Sequence, residues 1–322
     1  MIGVKGLTDI PGILVGHVSD YDGLTGCTAV LCESGAVAGG DIRGSATGTE
    51  EWDVLNPMHI TDRIHAVAFA GRSAFGLEAA GGVRRFLEHK GVGFVYNGVH
   101  IPIVPCAILF DFAVGKPLIR PTREMGESAA AAATDKAVIE GAVGAGTGAT
   151  VGKFFGIQQA MKSGIGSFTI EMEGAFAGVK VSALAVVNAF GDVRDPATGQ
   201  IVAGARKAVN SMEFADTARL MKSASPNAAG RSNTTLVVVG TNASLTKVEA
   251  NKLAQLASLG VARAIDPVNT TYDGDLVIAL SVGQAKAPVN SLGVAAAEAV
   301  VQSILRAVRL APTLGGLPGL KR

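Results

Sequence analysis

The chain has 322 residues, 48% of them hydrophobic and only 17% charged, and its mean hydropathy is +0.36; disorder is excluded, and a buried core for one large domain or two ordinary ones is within reach. Its 28 Lys and Arg nearly balance 27 Asp and Glu, so no basic excess suggests a nucleic-acid partner and no acidic tail is present. Glycine stands out at 42 residues and aromatics are scarce at 5%, a composition suited to close backbone packing and tight turns.

The N-terminus, Met-Ile-Gly-Val-Lys-Gly, has no basic region followed by an apolar core. No signal peptide is expected, and the chain reads as soluble and cytoplasmic. Residues 13–18, 25–33 and 65–70 are short apolar or β-branched runs bounded by Gly, Asp and Ser, which predicts strands. Cys27 and Cys32 are five apart in such a run, so they fall on opposite faces and share no metal. With Cys106 they are too few for a disulfide framework and read as buried structural thiols. A helix is expected over 72–90, with Leu77, Ala80, Val83, Phe86 and Leu87 on one stripe and Gly91 ending it. The stretch 91–110 lacks Asp, Glu, Lys and Arg, but Asn97, His100, Pro102 and Pro105 make it strand, turn and strand rather than a membrane span. Pro121 sits near the start of a helix expected to run through Glu140, its Ala129–Ala133 run suiting close packing.

A glycine-rich loop over 141–153 comes next, then paired strands over 164–173 and 179–188. Residues 192–231 are polar, with Asp-Pro, Ser-Pro-Asn and Ala-Ala-Gly, the composition of a surface excursion or a mobile linker. A strongly β-branched strand spans 234–240. Thr246 and Glu249 form a capping box for a helix ending at Gly260. A strand over 276–282 follows, and Val294, Ala297, Val301, Ile304, Leu305 and Val308 mark a last amphipathic helix. Strands in groups and helices in groups predict α+β or layered α/β architecture, without the regular alternation of a doubly wound sheet.

Chemistry could reside in two places. The loop Gly141-Ala-Val-Gly-Ala-Gly-Thr-Gly-Ala-Thr-Val-Gly-Lys153 ends like a phosphate loop, but Thr147 stands where glycine is needed and Phe154 where Ser or Thr is needed. Gly144, Gly146 and Ala149 fit only the looser dinucleotide pattern, and no strand precedes them. The loop therefore reads either as a tight turn with close backbone approach or as a loop that delivers Lys153 to an active site, with a nucleotide-binding module as the rival. The histidines (His17, His59, His65, His89 and His100) show no ligand spacing.

The second place is Ser232-Asn233-Thr234-Thr235, where a polar stretch meets a buried strand. A hydroxyl at a strand's first position can attack the preceding carbonyl through a five-membered ring, shifting the acyl group from nitrogen to oxygen. Hydrolysis of that ester leaves threonine as a new N-terminus. Its α-amine, with an ordinary pKa of about 7.7–8.0, can act as general base for its own hydroxyl, and no histidine is needed. An Asn-Thr pair alone is ordinary turn chemistry, and the pair recurs at Asn269-Thr270.

Taken together, the blocks Gly6-Leu-Thr-Asp-Ile-Pro-Gly12, Gly71-Arg-Ser-Ala-Phe-Gly-Leu-Glu-Ala-Ala80, Ala107-Ile-Leu-Phe-Asp111, Gly144-Ala-Gly-Thr-Gly148, Gly164-Ile-Gly-Ser167, Ala185-Val-Val-Asn188, Asn233-Thr-Thr235 and Asp273-Gly-Asp275 resemble, in order, the DmpA-type aminopeptidase family. That family of self-cleaving N-terminal-nucleophile hydrolases includes β-aminopeptidases and the nylon-oligomer hydrolase. The resemblance implies a four-layer α/β/β/α sandwich with mixed sheets. It also implies a single domain, 1–322, cut between Asn233 and Thr234 into subunits 1–233 and 234–322. Thr234 would be the nucleophile, as in the nylon-oligomer branch. Asn188 matches a catalytic-centre asparagine whose amide could donate to an oxyanion. Lys153 matches that branch's lysine, which would favour a deprotonated nucleophile and a neutral amine. Asp273 and Asp275 match its acidic pair and would orient the amine, while Asn269-Thr270 is not expected to cut. Phe110 replaces the family's tyrosine and removes a phenolic donor. With Gly146 and Ser73, Phe110 is a candidate for the substrate pocket. The substrate implied is a short peptide or an amino-acid amide or ester, with no metal or organic cofactor, no membrane partner and a tetramer of cleaved heterodimers. Ornithine acetyltransferase-like acyl transfer is the rival activity on the same architecture.

Overall fold

The computed structural model describes residues 5–227 and 233–321. Its main strands are β1 (Leu14–Asp20), β2 (Thr25–Ile42), β3 (Ile64–Ala70), β4 (Cys106–Ile108), β5 (Ile165–Glu171), β6 (Lys180–Asn188), β7 (Thr234–Ala243) and β8 (Leu276–Ala285). The helices that cover them are α1 (Glu78–His89), α2 (Arg123–Ala131), α3 (Lys247–Ala264) and α4 (Val289–Arg309).

One sheet orders β1, β2, β3 and β4, and the other orders β5, β6, β7, β8 and β2. β2 belongs to both: Thr25–Leu31 pair with β1 and β3, and Val37–Ile42 pair with β8 after a register break between Leu31 and Ala36. Both sheets are mixed, since β7 runs parallel to β8 and β3 parallel to β4, whereas the other main pairs are antiparallel.

Strand periodicity sorts the core into three layers of packing. Leu184, Val186, Leu236, Val238 and Ile278 of one sheet meet Val30, Cys32, Val67 and Phe69 of the other. The alternate residues Val181, Ala183, Ala185, Val237, Val239 and Val277 face α3 and α4. Cys27, Ala29, Ala66, Ala68 and Ala70 face α1 and α2. The result is helices, sheet, sheet, helices, the four-layer sandwich. Cys27 and Cys32 do lie in different layers, and all three cysteines are buried and free. By length and composition α4 could cross a bilayer, yet Leu292, Ala296, Val300 and Ile304 are spent on the core against α3 and its sheet.

Several element boundaries differ from the sequence expectation. Residues 73–77 form a 3-10 turn before α1. α2 ends at Ala131, nine residues short of Glu140, because Thr134 exchanges backbone hydrogen bonds with Val15 of β1; strand pairing overrides the helix propensity of the alanines. α3 continues past Gly260 to Ala264. That glycine is a contact point, since a Cβ there would strike Ala297 and Val300 of α4. The capping box of Thr246 and Glu249 forms as expected. The polar excursion is ordered over 192–227. Buried Asp192 accepts from Ala205 N–H (2.8 Å), Thr217 N–H (2.7 Å) and Thr217 Oγ1 (2.8 Å), pinning its far parts. The end of the excursion, 228–231, and Ser232 lie outside the described residues.

Candidate active site

Thr234 is the first residue of β7 and sits opposite Asn188, the last residue of β6. Just before it, Asn233 is bridged to the turn that leads into β8. Asn233 N–H donates to Tyr272 O at 3.0 Å, and Gly274 N–H donates to Asn233 O at 2.8 Å. Strand ends from both sides thus bring Asn188, Asn233, Thr234 and residues 273–275 together. The glycine-rich loop adds Lys153, anchored by Gly152 N–H and Lys153 N–H on the carbonyls of Gly191 and Phe190 (3.0 Å each). Asn188, Asn233, Thr234, Lys153, Asp273 and Asp275 are all buried.

Thr234 Oγ1 lies 2.5 Å from the carbonyl oxygen of Asn233. The same oxygen accepts from Gly274 N–H. The hydroxyl is held against the peptide it would attack, and an amide dipole already polarises that peptide's oxygen. Sequence reading did not single out Gly274, because a backbone donor has no side-chain signature. The one signal was a glycine between two acids.

Lys153 Nζ spends its three donors on Asn188 O (3.0 Å), Asn188 Oδ1 (2.8 Å) and Asn233 Oδ1 (2.9 Å). Burial pushes its pKa down to about 7, against the opposing pull of Asp273, Asp111 and Asp275. The Asn188 side chain is oriented by this network. Its Oδ1 also accepts from Thr150 N–H at 3.1 Å, while Nδ2 donates to Phe110 O at 2.9 Å. An N–H of its amide is engaged by Phe110, its oxygen faces Lys153, and the donor on the Asn233 carbonyl is Gly274.

The two carboxylates are neighbours held by separate sets of donors. Asp273 accepts from Thr270 N–H (3.0 Å) and Thr270 Oγ1 (2.6 Å), with a longer bond from Phe190 N–H (3.4 Å). Asp275 accepts from Thr235 N–H (2.6 Å) and Asn269 N–H (3.0 Å). In the intact chain Asp275 holds Thr235, next to Thr234, while Asp273 ties Thr270 to Phe190, and the second Asn-Thr pair supplies donors to both. Burial raises both carboxyl pKa values, and for Asp275 the neighbouring Asp273 raises it further.

Beneath the site lies a charged layer that sequence reading missed. Buried Asp111 accepts from Arg72 N–H (2.7 Å) and Thr25 Oγ1 (2.9 Å). The Arg72 guanidinium donates to the carbonyls of Asp111 (2.6 Å), Ile119 (3.1 Å) and Val114 (3.2 Å), tying down the loop after β4. Lys162 is buried as well. Its Nζ donates to Ser163 O (2.7 Å) and Ala149 O (2.8 Å), and burial lowers its pKa to about 7.

Of the pocket candidates, Phe110 stands at the centre's edge, its carbonyl held by Asn188 and the residue 39% exposed. Ser73 donates its N–H to Leu109 O (3.0 Å), one residue farther out. Gly146 is buried, and a Cβ there would lie 2.8 Å from Gly164 C and Ile165 N. Its place is backbone packing rather than a pocket wall. The loop also fails as a phosphate cradle, because its amides are occupied. Gly144 N–H donates to Ser19 Oγ (2.8 Å), Ala145 N–H to Thr28 Oγ1 (3.0 Å) and Gly146 N–H to Val143 O (2.9 Å).

The model of peptidase family S58 matches residues 5–322. The chain belongs to this family. It is therefore a hydrolase of peptide or amide bonds. It is 37% identical over 351 residues to an uncharacterized aminopeptidase of Mycobacterium leprae (strain TN), covering 98% of this chain and 93% of the relative. It is 26% identical over 317 residues to the 6-aminohexanoate-oligomer endohydrolase of Kocuria sp. (strain KY2), covering 94% and 85%. The solved L-aminopeptidase D-Ala-esterase/amidase of Ochrobactrum anthropi, described as a variant of the Ntn hydrolase fold, superposes with a TM-score of 0.70. There the identity is 18%, with 98% of this chain and 88% of that one covered.

Proposed function

We propose that the chain is a self-processing threonine amide hydrolase, an aminopeptidase acting on short peptides or on amino-acid amides and esters. In the first stage Thr234 Oγ1 attacks the Asn233 carbonyl carbon, the C–N bond to Thr234 breaks as the hydroxyl proton passes to the Thr234 nitrogen, and the peptide bond gives way to an ester and a free α-amine. Gly274 N–H stabilises the oxyanion that builds on Asn233 O. Water then hydrolyses the ester, leaving subunits 1–233 and 234–322 with Thr234 as a free N-terminus. In the second stage the Thr234 α-amine takes the hydroxyl proton, Oγ1 attacks a substrate carbonyl, the leaving amine is protonated, and water clears the acyl-enzyme.

Lys153, fixed by Asn188, supplies positive potential beside Thr234. The bond from Thr235 N–H to Asp275 holds the strand end in place once the chain is cut. The observation that carries this reading is the pair of contacts on one oxygen: Thr234 Oγ1 at 2.5 Å and Gly274 N–H at 2.8 Å from Asn233 O. Assembly as a tetramer of cleaved heterodimers is part of the same proposal.

The test is the intact mass of freshly purified protein together with release of amine from amino-acid nitroanilides. Two fragments meeting at Asn233 and Thr234, with activity that follows their appearance, are expected. An undivided chain with full activity would overturn the mechanism.

A further inference from the structure

An exposed aromatic strip begins at the edge of the buried centre. The ring of Phe110, the residue whose carbonyl Asn188 holds, lies 5.0 Å from that of Phe112, and Phe112 lies 6.4 Å from Phe75, both pairs edge-to-face. Phe110 and Phe75 are 39% and 49% exposed. The strip ends on a cation: the guanidinium carbon of Arg120 sits 3.4 Å from the centroid of Phe75.

Several arginines of the chain are already committed to acceptors. Arg72 is saturated by carbonyls and Asp111, and Arg84, Arg85, Arg194, Arg306 and Arg309 each pair with a carboxylate. Among the described residues no carboxylate pairs with Arg120, and its buried Nε has no hydrogen-bond partner. A stacked guanidinium is planar, weakly hydrated and pre-organised for two parallel bonds to a carboxylate. Its apolar neighbours lower the local dielectric and strengthen such bonds.

We propose that Arg120 binds the free C-terminal carboxylate of a peptide substrate whose leaving portion lies along Phe110, Phe112 and Phe75. This rests on the hydrolase reading above and narrows its substrate class. The strip is on the order of 10–15 Å long, and an extended chain advances about 3.3–3.6 Å per residue. The leaving portion is therefore a peptide of about three or four residues with an unblocked carboxylate.

The test compares kcat/KM for alanine oligopeptides of increasing length, each as free acid and as C-terminal amide, with wild type, Arg120→Gln and Arg120→Lys. In wild type the acid should exceed the amide by about tenfold at the longer lengths, mostly through KM, since a remote contact made equally in the ground and transition states acts on binding. Arg120→Gln should bring the acid-to-amide ratio to about one. Arg120→Lys, which keeps the charge and loses the stacked fork, should fall between. The ratio is internal to each preparation, so partial misfolding does not affect it. Equal rates for acid and amide in wild type, or a preference that survives in Arg120→Gln, would overturn the proposal with the hydrolase reading intact. Wild type that cleaves neither series, nor the nitroanilides, overturns that reading and this inference with it.

Discussion

Gly274→Ala tests how the Asn233–Thr234 peptide is activated. Glycine is needed at 274 for space, because a Cβ there would lie 2.7 Å from Ala46 O and 2.9 Å from Thr234 Oγ1. Ala46 is not free to yield, since its N–H is bonded to Asp273 O at 2.8 Å. Relief must come from the 273–274 peptide and from the Thr234 side chain. The first movement takes the Gly274 N–H away from Asn233 O; the second turns the hydroxyl away from the carbonyl it attacks. Loss of a single oxyanion donor costs about 2.7–4 kcal/mol, roughly 10²–10³ in rate. An off-rotamer threonine adds about 0.5–1.5 kcal/mol. Processing of Gly274→Ala should therefore be at least about a hundredfold slower than that of the parent chain. The measurement is the fraction of intact chain by mass spectrometry over time, with near-UV circular dichroism to show that the variant is folded. A folded Gly274→Ala that divides with the parent's half-time would refute the assignment of this amide.

Further outcomes follow from the same contacts. Thr234→Ala should stay intact and inactive, whereas Thr234→Ser, which keeps the hydroxyl, should process and hydrolyse within about tenfold of the parent. Asp192→Ala leaves buried N–H groups of Ala205 and Thr217 without their acceptor. At about 1–3 kcal/mol for each unsatisfied group, denaturant unfolding should show a loss of several kcal/mol, and limited proteolysis should first cut within 195–227. Lys153 and Lys162 are held near 7 against an ordinary 10.5. Between those values the unfolded chain binds more protons, so stability rises with pH above 7. Cys27 and Cys32, pushed up to about 12, act in the opposite direction above their ordinary pKa of about 8.5. The lysine effect is therefore cleanest from about pH 7 to 8.5, where one lysine contributes about 2 kcal/mol. Urea unfolding in the Thr234→Ala background, which keeps one chain, should lose about that much of its pH dependence in Lys162→Met. An unchanged slope would show that Lys162 is not the buried titrating group.

Legibility in the sequence followed the range of each interaction. Strand periodicity placed β6, β7 and β8 to within a few residues, because alternate positions face different apolar layers whatever their partners are. The ends of α2 and α3 were misjudged because tertiary contacts set them, Val15 against Thr134 in one case and Gly260 against α4 in the other. Side chains with a motif, such as Thr234, Lys153 and the Asp273–Asp275 pair, could be named in advance. Their bonding could not: the separate donors of the two carboxylates come from Thr270, Asn269 and Thr235, whose amides declare nothing in a sequence. Asp192 and Lys162 were hidden for the same reason, since each is satisfied by backbone groups from distant segments.

The same donors can serve both stages of the proposed reaction. In the intact chain Gly274 N–H and the third donor of Lys153 are taken by the two oxygens of Asn233. Cleavage would turn Asn233 into a chain end, and its departure would release both donors beside the newly freed Thr234. A substrate carbonyl placed where the Asn233 carbonyl stood would meet Oγ1 and Gly274 N–H in the geometry that served the first reaction. Phe110 carries no phenolic donor, and an N–H of the Asn188 amide is engaged with the Phe110 carbonyl. If Gly274 N–H is also a donor to the second-stage oxyanion, Gly274→Ala produced as two separately expressed subunits, bypassing self-cleavage, should lose turnover by about the same factor of 10²–10³ in kcat. Full turnover by such a reconstituted variant would separate the two stages and assign the second to a different donor.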